Sequence, residues 1–226
     1  MITVQNLSKS YGNNHVLKDL NLSLHKGNIY GFVGENGAGK TVLFRCIAGL
    51  ENYKGKVISD YQILKNHLGF LHTYPFIMSR ITGWEYLKLL CLARNIKTDN
   101  FKEWNIFELP LNQYTETYST GMIKKLAFMG ILLQQNEIYI LDEPFNGVDI
   151  HSNILILEII AKLKSLNKII LISSHIFSTL SECCDEIRLL KNGVFHKTVK
   201  KTEFIQLEDE MKEFIIGNRI DKLNIK

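Results

Sequence analysis

The stretch Gly34-Glu35-Asn36-Gly37-Ala38-Gly39-Lys40-Thr41 decides the fold of this chain. It is a complete G-x-x-x-x-G-K-[ST] phosphate-binding loop, whose glycines let successive backbone N–H groups point inward at a phosphate. Residues 29–33 form a short apolar run that predicts a buried strand, and residues 42–50 carry apolar side chains at helical spacing. This order of strand, loop and helix is the context in which the pattern binds nucleotide phosphates.

Two side chains of the loop have roles that follow from their chemistry. Lys40 supplies a positive charge for the outer phosphates, and the hydroxyl of Thr41 is a ligand for Mg²⁺. A glycine-rich turn that ends by chance in Lys-Thr is the alternative, and the flanking strand and helix argue against it. The residues predicted to bind the nucleotide here are Gly34, Glu35, Asn36, Gly37, Ala38, Gly39, Lys40 and Thr41.

The composition fits one domain, or one domain with a subdomain. The chain has 226 residues, of which 46% are hydrophobic and 22% charged, so a sizeable core is possible. The net charge of +4 is too small to indicate a nucleic-acid partner. The four cysteines show no metal-ligand spacing and are interpreted as reduced thiols: Cys46, Cys91, Cys183 and Cys184.

No part of the sequence predicts a secretion signal or a membrane span. Residues 1–5 have neither a charged head nor a long apolar core. The longest apolar runs, such as 126–133, are far shorter than the roughly 20 residues needed to cross a bilayer. We therefore expect another polypeptide to supply the pathway if the chain acts in transport.

The remaining periodicity predicts strands that alternate with helices, which is typical of an α/β fold with a mainly parallel sheet. Strands 56–59 and 68–71 predict a small antiparallel element beside the nucleotide-binding core, and Asn192-Gly193 predicts a tight hairpin turn. The other predicted strands are 2–7, 16–24, 137–141, 169–173, 187–190 and 194–196. The predicted helices are 83–95, 122–134 and 151–166, and 204–226 is predicted to be a charged, weakly helical tail.

A strand that ends in two acidic residues is the second motif. Residues 138–141 are apolar, and Asp142 and Glu143 follow directly. A carboxylate at a strand end beside the phosphate loop is placed to hold a metal ion, so a metal site is predicted at Asp142 and Thr41. Glu143 points another way and could accept a proton from water that attacks the γ-phosphate. Read alone, the same stretch is equally a strand followed by an acidic turn.

The third motif is Tyr118-Ser119-Thr120-Gly121-Met122, which stands just before a predicted helix. Ser119 can cap that helix, and this interpretation is sufficient locally. The functional interpretation is that the same free N–H groups and the Ser119 hydroxyl form a second anion site.

With these three motifs, the sequence resembles the ATP-binding cassette (ABC) family, most closely its short bacterial single-cassette ATPases of the export-like kind. Residues 118–122 resemble the family signature, and Tyr11 matches its adenine-stacking aromatic position. Asp149 matches the aspartate of the loop after the second acid, and His175 matches the switch histidine. The motifs occur in family order from about residue 2 to 200, so the resemblance covers nearly the whole chain.

The resemblance implies a fold and its parts. It implies an ABC ATPase domain over 1–203 with a P-loop NTPase (RecA-like) core and a mainly parallel sheet. A small antiparallel β subdomain and a short α-helical subdomain at about 74–122 would complete this domain.

The resemblance also implies an activity and partners. It implies that ATP and water give ADP and phosphate with Mg²⁺ as cofactor, with Glu143 and His175 as catalytic residues. Two cassettes, expected to be identical, would form a head-to-tail dimer with ATP at the interface. Ser119 and Gly121 of one copy would face the phosphate loop of the other, with Asp149 nearby. A separate polytopic membrane permease is the expected partner, which would place the chain on the cytoplasmic face of the membrane.

Two departures from the family pattern concern the site. Thr73 occupies the position of a glutamine that normally touches Mg²⁺, and because threonine is shorter, direct metal contact is not expected. Val42 follows Thr41 where a second hydroxyl residue is usual, which costs about 1 kcal/mol, the scale of one neutral hydrogen bond. We expect slow but real hydrolysis, since Glu143 is intact.

Three other functions stay open at this stage. The chain could be a non-transport ABC ATPase that acts on ribosomes or on the assembly of another complex. It could also be an ATP-sensing module with very slow turnover, which the two departures favour. A simple phosphotransferase is the least favoured, because it would not need the Ser119 motif or Asp149.

Overall fold

The computed structural model describes residues 1–98 and 100–207, so most of the predicted 204–226 tail lies outside the described residues. The strands are β1 (Ile2–Tyr11), β2 (Asn14–Leu24), β3 (Asn28–Val33), β4 (Lys54–Ser59), β5 (Leu68–Leu71), β6 (Ile138–Asp142), β7 (Ile169–Ser174), β8 (Glu186–Lys191) and β9 (Val194–Lys200). The helices are α1 (Lys40–Ile47), α2 (Gly83–Ala93), α3 (Phe101–Trp104), α4 (Thr120–Leu133), α5 (Ile150–Ser165) and α6 (Phe177–Cys183).

The main sheet has six strands in the order β5-β6-β7-β3-β8-β9. The first five are mutually parallel, and β9 pairs antiparallel with β8. Every residue of β6 and β7 is buried, as expected for parallel strands that helices and loops cover on both faces. The predicted α/β fold with a mainly parallel sheet is therefore confirmed.

A second, smaller sheet is antiparallel and has the order β2-β1-β4. The predicted strand 56–59 lies in it as part of β4. The other predicted member, 68–71, forms β5 and pairs parallel with β6 in the main sheet, so that part of the prediction was wrong. Leu68, Gly69 and Leu71 are buried although β5 is the edge strand of the main sheet, which suits a parallel strand that is covered on both faces.

The main sheet separates two hydrophobic clusters. Alternate residues of β6 enter different clusters: Ile138 and Ile140 pack with one, and Tyr139 and Leu141 with the other. Burial on both faces fixes the register of the strand, because a slip by one residue would exchange every side chain between the two clusters. The strand ends, and the polar residues that follow them, are therefore held in defined positions.

The helical part between β5 and β6 contains α2, α3 and α4. Thr82 and Glu85 form a capping box at the start of α2, in which each side chain accepts a hydrogen bond from the backbone N–H of the other residue. Within 1–98 and 100–207, no helix is both long and apolar enough to span a bilayer.

Helix α6 was not predicted from the sequence. It has only seven residues, no side-chain cap, and two buried apolar side chains, Phe177 and Leu180. That is too short for a helical period to be recognised. Phe177 packs edge-on against Phe204, with 6.1 Å between ring centroids, which joins α6 to the last described residues.

Candidate active site

The phosphate-binding loop joins the end of β3 to the start of α1. Gly37 and Gly39 have φ angles of 84° and 106°, in the left-handed region that glycine adopts without strain. A Cβ atom at Gly39 would also lie 2.8 Å from a methyl carbon of Leu17. No side chain caps the start of α1, so its first N–H groups are available to an anion.

Lys40 is only 7% exposed. Its Nζ donates hydrogen bonds to the carbonyl oxygens of Gly34, at 2.6 Å, and Glu35, at 3.2 Å. It also lies 3.8 Å from Oε1 of Glu143. Burial lowers the pKa of Lys40, and the nearby Glu143 and Asp142 carboxylates oppose that change. The loop thus holds a cation among its own carbonyl groups.

Asp142 is buried at the end of β6 and accepts three hydroxyl hydrogen bonds. Its Oδ2 atom accepts from Thr41 Oγ1, at 2.7 Å, and from Thr73 Oγ1, at 2.6 Å. Its Oδ1 atom accepts from Ser173 Oγ, at 2.5 Å. The structure thus brings the two predicted metal residues together and adds two hydroxyls that the sequence did not assign to the site.

Glu143, the next residue, has a φ angle of 51°, which is uncommon for any residue but glycine. Its N–H donates to Ser173 Oγ at 2.9 Å. Its Oε2 atom lies 3.0 Å from Nδ1 of His175, which follows β7. The two predicted catalytic residues therefore lie in hydrogen-bond contact with each other, and Glu143 also lies beside Lys40.

These groups meet because β6, β7 and β3 are adjacent and parallel, so their carboxyl ends lie at one edge of the sheet. They line a cavity of about 640 Å³. Its functional lining comprises Asn36, Gly37, Ala38, Gly39, Lys40, Thr41, Thr73, Asp142, Glu143 and His175. Backbone donors, one ammonium group, hard oxygen ligands and a carboxylate with a histidine form a site suited to hydrolysis of a metal-bound phosphoanhydride.

Tyr11, at the end of β1, does not line that cavity. Its ring is 46% exposed, and the ammonium of Lys9 lies 4.5 Å from the ring centroid. Lys9 is held by Glu51 at 2.9 Å. One face of the ring is thus occupied by a cation in a fixed position.

Ser119, Gly121 and Asp149 also lie outside the cavity lining. Ser119 caps α4, since its Oγ accepts the N–H of Met122 at 3.2 Å. A Cβ atom at Gly121 would lie 2.7 Å from the carbonyl oxygen of Gly147.

Asp149 caps α5 and accepts the N–H of Ser152 at 2.9 Å. The bonds from Ser152, together with Lys125 at 3.1 Å, hold the pKa of Asp149 below its usual range. The capping role that the sequence predicts for Ser119 is therefore present, and Asp149 caps α5 as well.

The profile of the ABC transporter family matches residues 17–146. An uncharacterised ABC transporter ATP-binding protein of Nostoc is 30% identical over 193 residues, which is 78% of this chain. The chain spans only 57% of the length of that relative. The bacitracin transport ATP-binding protein BcrA of Enterococcus faecalis is 29% identical over 96% of this chain and 75% of its own length.

Solved structures agree with this assignment. The structure of an ATP-binding subunit of an ABC transporter has a TM-score of 0.81 and 25% identity, and the match covers 98% of this chain and 97% of that one. A dimeric ATP-binding cassette in a post-hydrolysis state with ADP and phosphate has a TM-score of 0.80 and 20% identity, over 89% of this chain and 99% of that one. At 20% identity, the match to this dimeric cassette shows a shared fold and nothing more.

Proposed function

Because this chain belongs to the ABC transporter family, we propose that it is the subunit that binds and hydrolyses ATP to drive a separate membrane permease. The observation that carries the proposal is the meeting of Lys40, Asp142 and Glu143 at one sheet edge. A non-transport ATPase is not favoured, since a relative that aligns over nearly the whole chain is a transport protein. An ATP sensor without turnover is also disfavoured by the contact between Glu143 and His175.

ATP would lie along the phosphate-binding loop. In the proposal the N–H groups of residues 34–41 bind the phosphates, and Lys40 exchanges its carbonyl partners for the outer phosphate oxygens. The adenine would stack on the face of Tyr11 opposite Lys9.

Mg²⁺ fits the residues around Asp142. The hydroxyls of Thr41 and Thr73 converge on one carboxylate oxygen, and hydroxyl and carboxylate oxygens are the ligands that this ion prefers. When bound, the ion would neutralise charge on the phosphates. Thr41 and Asp142, with Thr73, are the residues that would hold it.

Glu143 is proposed to take the proton from the attacking water. Its carboxylate faces Lys40 and His175, and its backbone N–H is held by Ser173. His175 would orient the carboxylate and the water. The reaction consumes one water molecule and yields ADP and phosphate.

A second cassette is proposed to complete the site. Ser119 is exposed at the start of α4 and lies outside the chain's own cavity, so it is available to nucleotide bound on a partner copy. Gly121 and Asp149 would lie at the same interface. A dimeric cassette of the same fold supports the arrangement. ATP would have to bind the closed dimer more tightly than the open state in order to move the permease.

The permease is proposed to dock on the helical part of the chain. Large apolar side chains are exposed there, including Tyr74 at 75% and Phe76 at 88%. The proposed ATPase domain is 1–203, with 74–122 as its helical subdomain. The chain would then lie on the cytoplasmic face of the membrane.

The test is a pull-down of the tagged chain from solubilised native membranes, with Phe76→Asp as the matched variant. We expect the wild type to recover a polytopic membrane protein that lacks its own phosphate loop, and the variant to recover less. Recovery of ribosomes or soluble complexes alone would contradict the transport proposal, while the roles of Lys40 and Glu143 would still stand.

A further inference from the structure

Lys124 is a buried charged residue that the proposed mechanism does not use. It lies in α4 and is only 2% exposed. Burial lowers its pKa, and the carboxylates of Glu143 and Asp142 oppose that change. A buried ammonium group is unfavourable unless acceptors surround it, so its hydrogen-bond partners indicate its role.

Those partners are two backbone carbonyl groups of the loop between β6 and α5. The Nζ atom of Lys124 donates to the carbonyl oxygen of Glu143 at 2.9 Å and to that of Asn146 at 2.6 Å. The Glu143 carbonyl also accepts the N–H of Asn146 at 3.2 Å, so the lysine reinforces a tight turn. Lys124 therefore contacts the main chain of the acidic residue and not its carboxylate.

The backbone of Glu143 needs such support. Its φ angle of 51° lies in a region that persists in non-glycine residues only when neighbouring groups hold it. Ser173 accepts its N–H on one side, and Lys124 donates to its carbonyl on the other. With both backbone groups fixed, the side chain is directed towards Lys40 and His175.

We propose that Lys124 is a positioning residue that fixes the main chain of Glu143 and thereby the direction of its carboxylate. It acts through Glu143 and does not touch the nucleotide. The inference rests on the proposed role of Glu143 as the proton acceptor. Because α4 begins next to Ser119, the same lysine also links the proposed partner-facing segment to the hydrolytic loop.

The close approach of Gly121 to the Gly147 carbonyl gives a second contact between α4 and this loop. The start of α4 and the loop thus form one packed unit, in which a shift of the helix displaces Glu143. A displacement of about 1 Å can lower a rate by about 100-fold, so modest loosening would be measurable.

The experiment compares Lys124→Met, which keeps an unbranched apolar stem but removes the donor, with Lys124→Gln, which is as long as methionine and keeps an N–H donor. Lys88→Met, an exposed lysine of α2, is the matched control. Steady-state phosphate release is measured against ATP concentration. The amount of nucleotide bound per protein molecule gives the fraction of the protein that is competent to bind, and kcat is calculated on that fraction. We expect kcat to fall about 10- to 100-fold in Lys124→Met with KM unchanged, and an intermediate kcat in Lys124→Gln.

Equal kcat in Lys124→Met and wild type would overturn the inference, as would equally reduced kcat in the Met and Gln variants. If Lys124→Met does not fold, Lys124→Gln decides: reduced kcat at unchanged KM supports the inference, and wild-type kcat overturns it. Glu143→Gln is measured alongside. If it matches wild type, the proposed role of Glu143 has failed, which is distinguishable from failure of the Lys124 inference alone.

Discussion

The hydroxyl of Thr73 lies 2.6 Å from Oδ2 of Asp142, the same atom that accepts a hydrogen bond from Thr41. Threonine is shorter than the glutamine usual at this position, and its hydroxyl nevertheless reaches the carboxylate of Asp142. The two residues lie close together because Leu71 of β5 pairs with Leu141 of β6. The segments that follow the two strands are therefore side by side.

Thr73→Val is expected to raise the Mg²⁺ concentration for half-maximal ATP hydrolysis by about tenfold. A hydrogen bond to a charged group contributes about 1.5 kcal/mol or more, and its loss would leave the Asp142 carboxylate less well oriented. Phosphate release during a Mg²⁺ titration measures the effect. Thr73→Ser keeps the hydroxyl and should follow the wild-type curve. A Val curve that superimposes on the wild type would remove Thr73 from the metal site.

Glu143→Gln is expected to lower phosphate release by about 100-fold or more while ATP binding is retained. An amide cannot take a proton from water, and a general base contributes about 10²–10⁴-fold. Phosphate release and binding of a fluorescent ATP analogue are measured on the same preparation. Equal release rates in variant and wild type would show that Glu143 is not the proton acceptor.

Lys40→Ala is expected to abolish measurable ATP binding. The ammonium is buried beside the phosphate loop, and its hydrogen bonds to charged phosphates have no substitute in alanine. The fluorescent analogue is titrated against Lys40→Ala and against Lys54→Ala, an exposed lysine of β4. Undiminished binding by Lys40→Ala would contradict the phosphate-loop assignment.

Gly121→Ala is expected to impair hydrolysis even though alanine favours helices. The added carbon would lie 2.7 Å from the backbone oxygen of Gly147, so the start of α4 must move. At Gly130, by contrast, the nearest atom to an added carbon is the flexible end of Leu90. Turnover is compared for both variants, and a loss confined to Gly130→Ala would contradict the packing argument.

Cys183 is expected to be the first cysteine to react with iodoacetamide under native conditions. It is partly exposed, whereas the other three thiols are buried, and burial raises the pKa of Cys46 to about 11. Peptide mass analysis after timed alkylation identifies the order. Denatured protein should label all four cysteines, and early labelling of Cys46 in folded protein would indicate local opening.

The phosphate loop, Asp142 and Glu143 could be predicted because each is a local pattern next to a strand. Ser173 could not, since a serine at the end of an apolar strand has no signal of its own. Its role follows from the pairing of Asp142 with Ser173 across β6 and β7.

Lys124 could not be predicted for a similar reason. A lysine in a helix is usually solvated, and this one is buried only because α4 packs against the loop after β6. Strand β5 was assigned to the wrong sheet because four residues give a periodicity too short to choose between sheets. The positions of Ser173, Lys124 and β5 all depend on contacts between residues that are far apart in the sequence, and a local sequence pattern does not contain such contacts.

The chain leaves the main sheet at Leu71 and returns at Ile138 on the adjacent strand. The parallel pairing of β5 with β6 fixes where the chain leaves the sheet and where it re-enters it. Insertions or deletions within residues 74–118 therefore need not change the register of β6, which places Asp142 and Glu143. The length of this excursion and the geometry of the acidic pair are therefore set by separate parts of the chain, and the first can change while the second is kept.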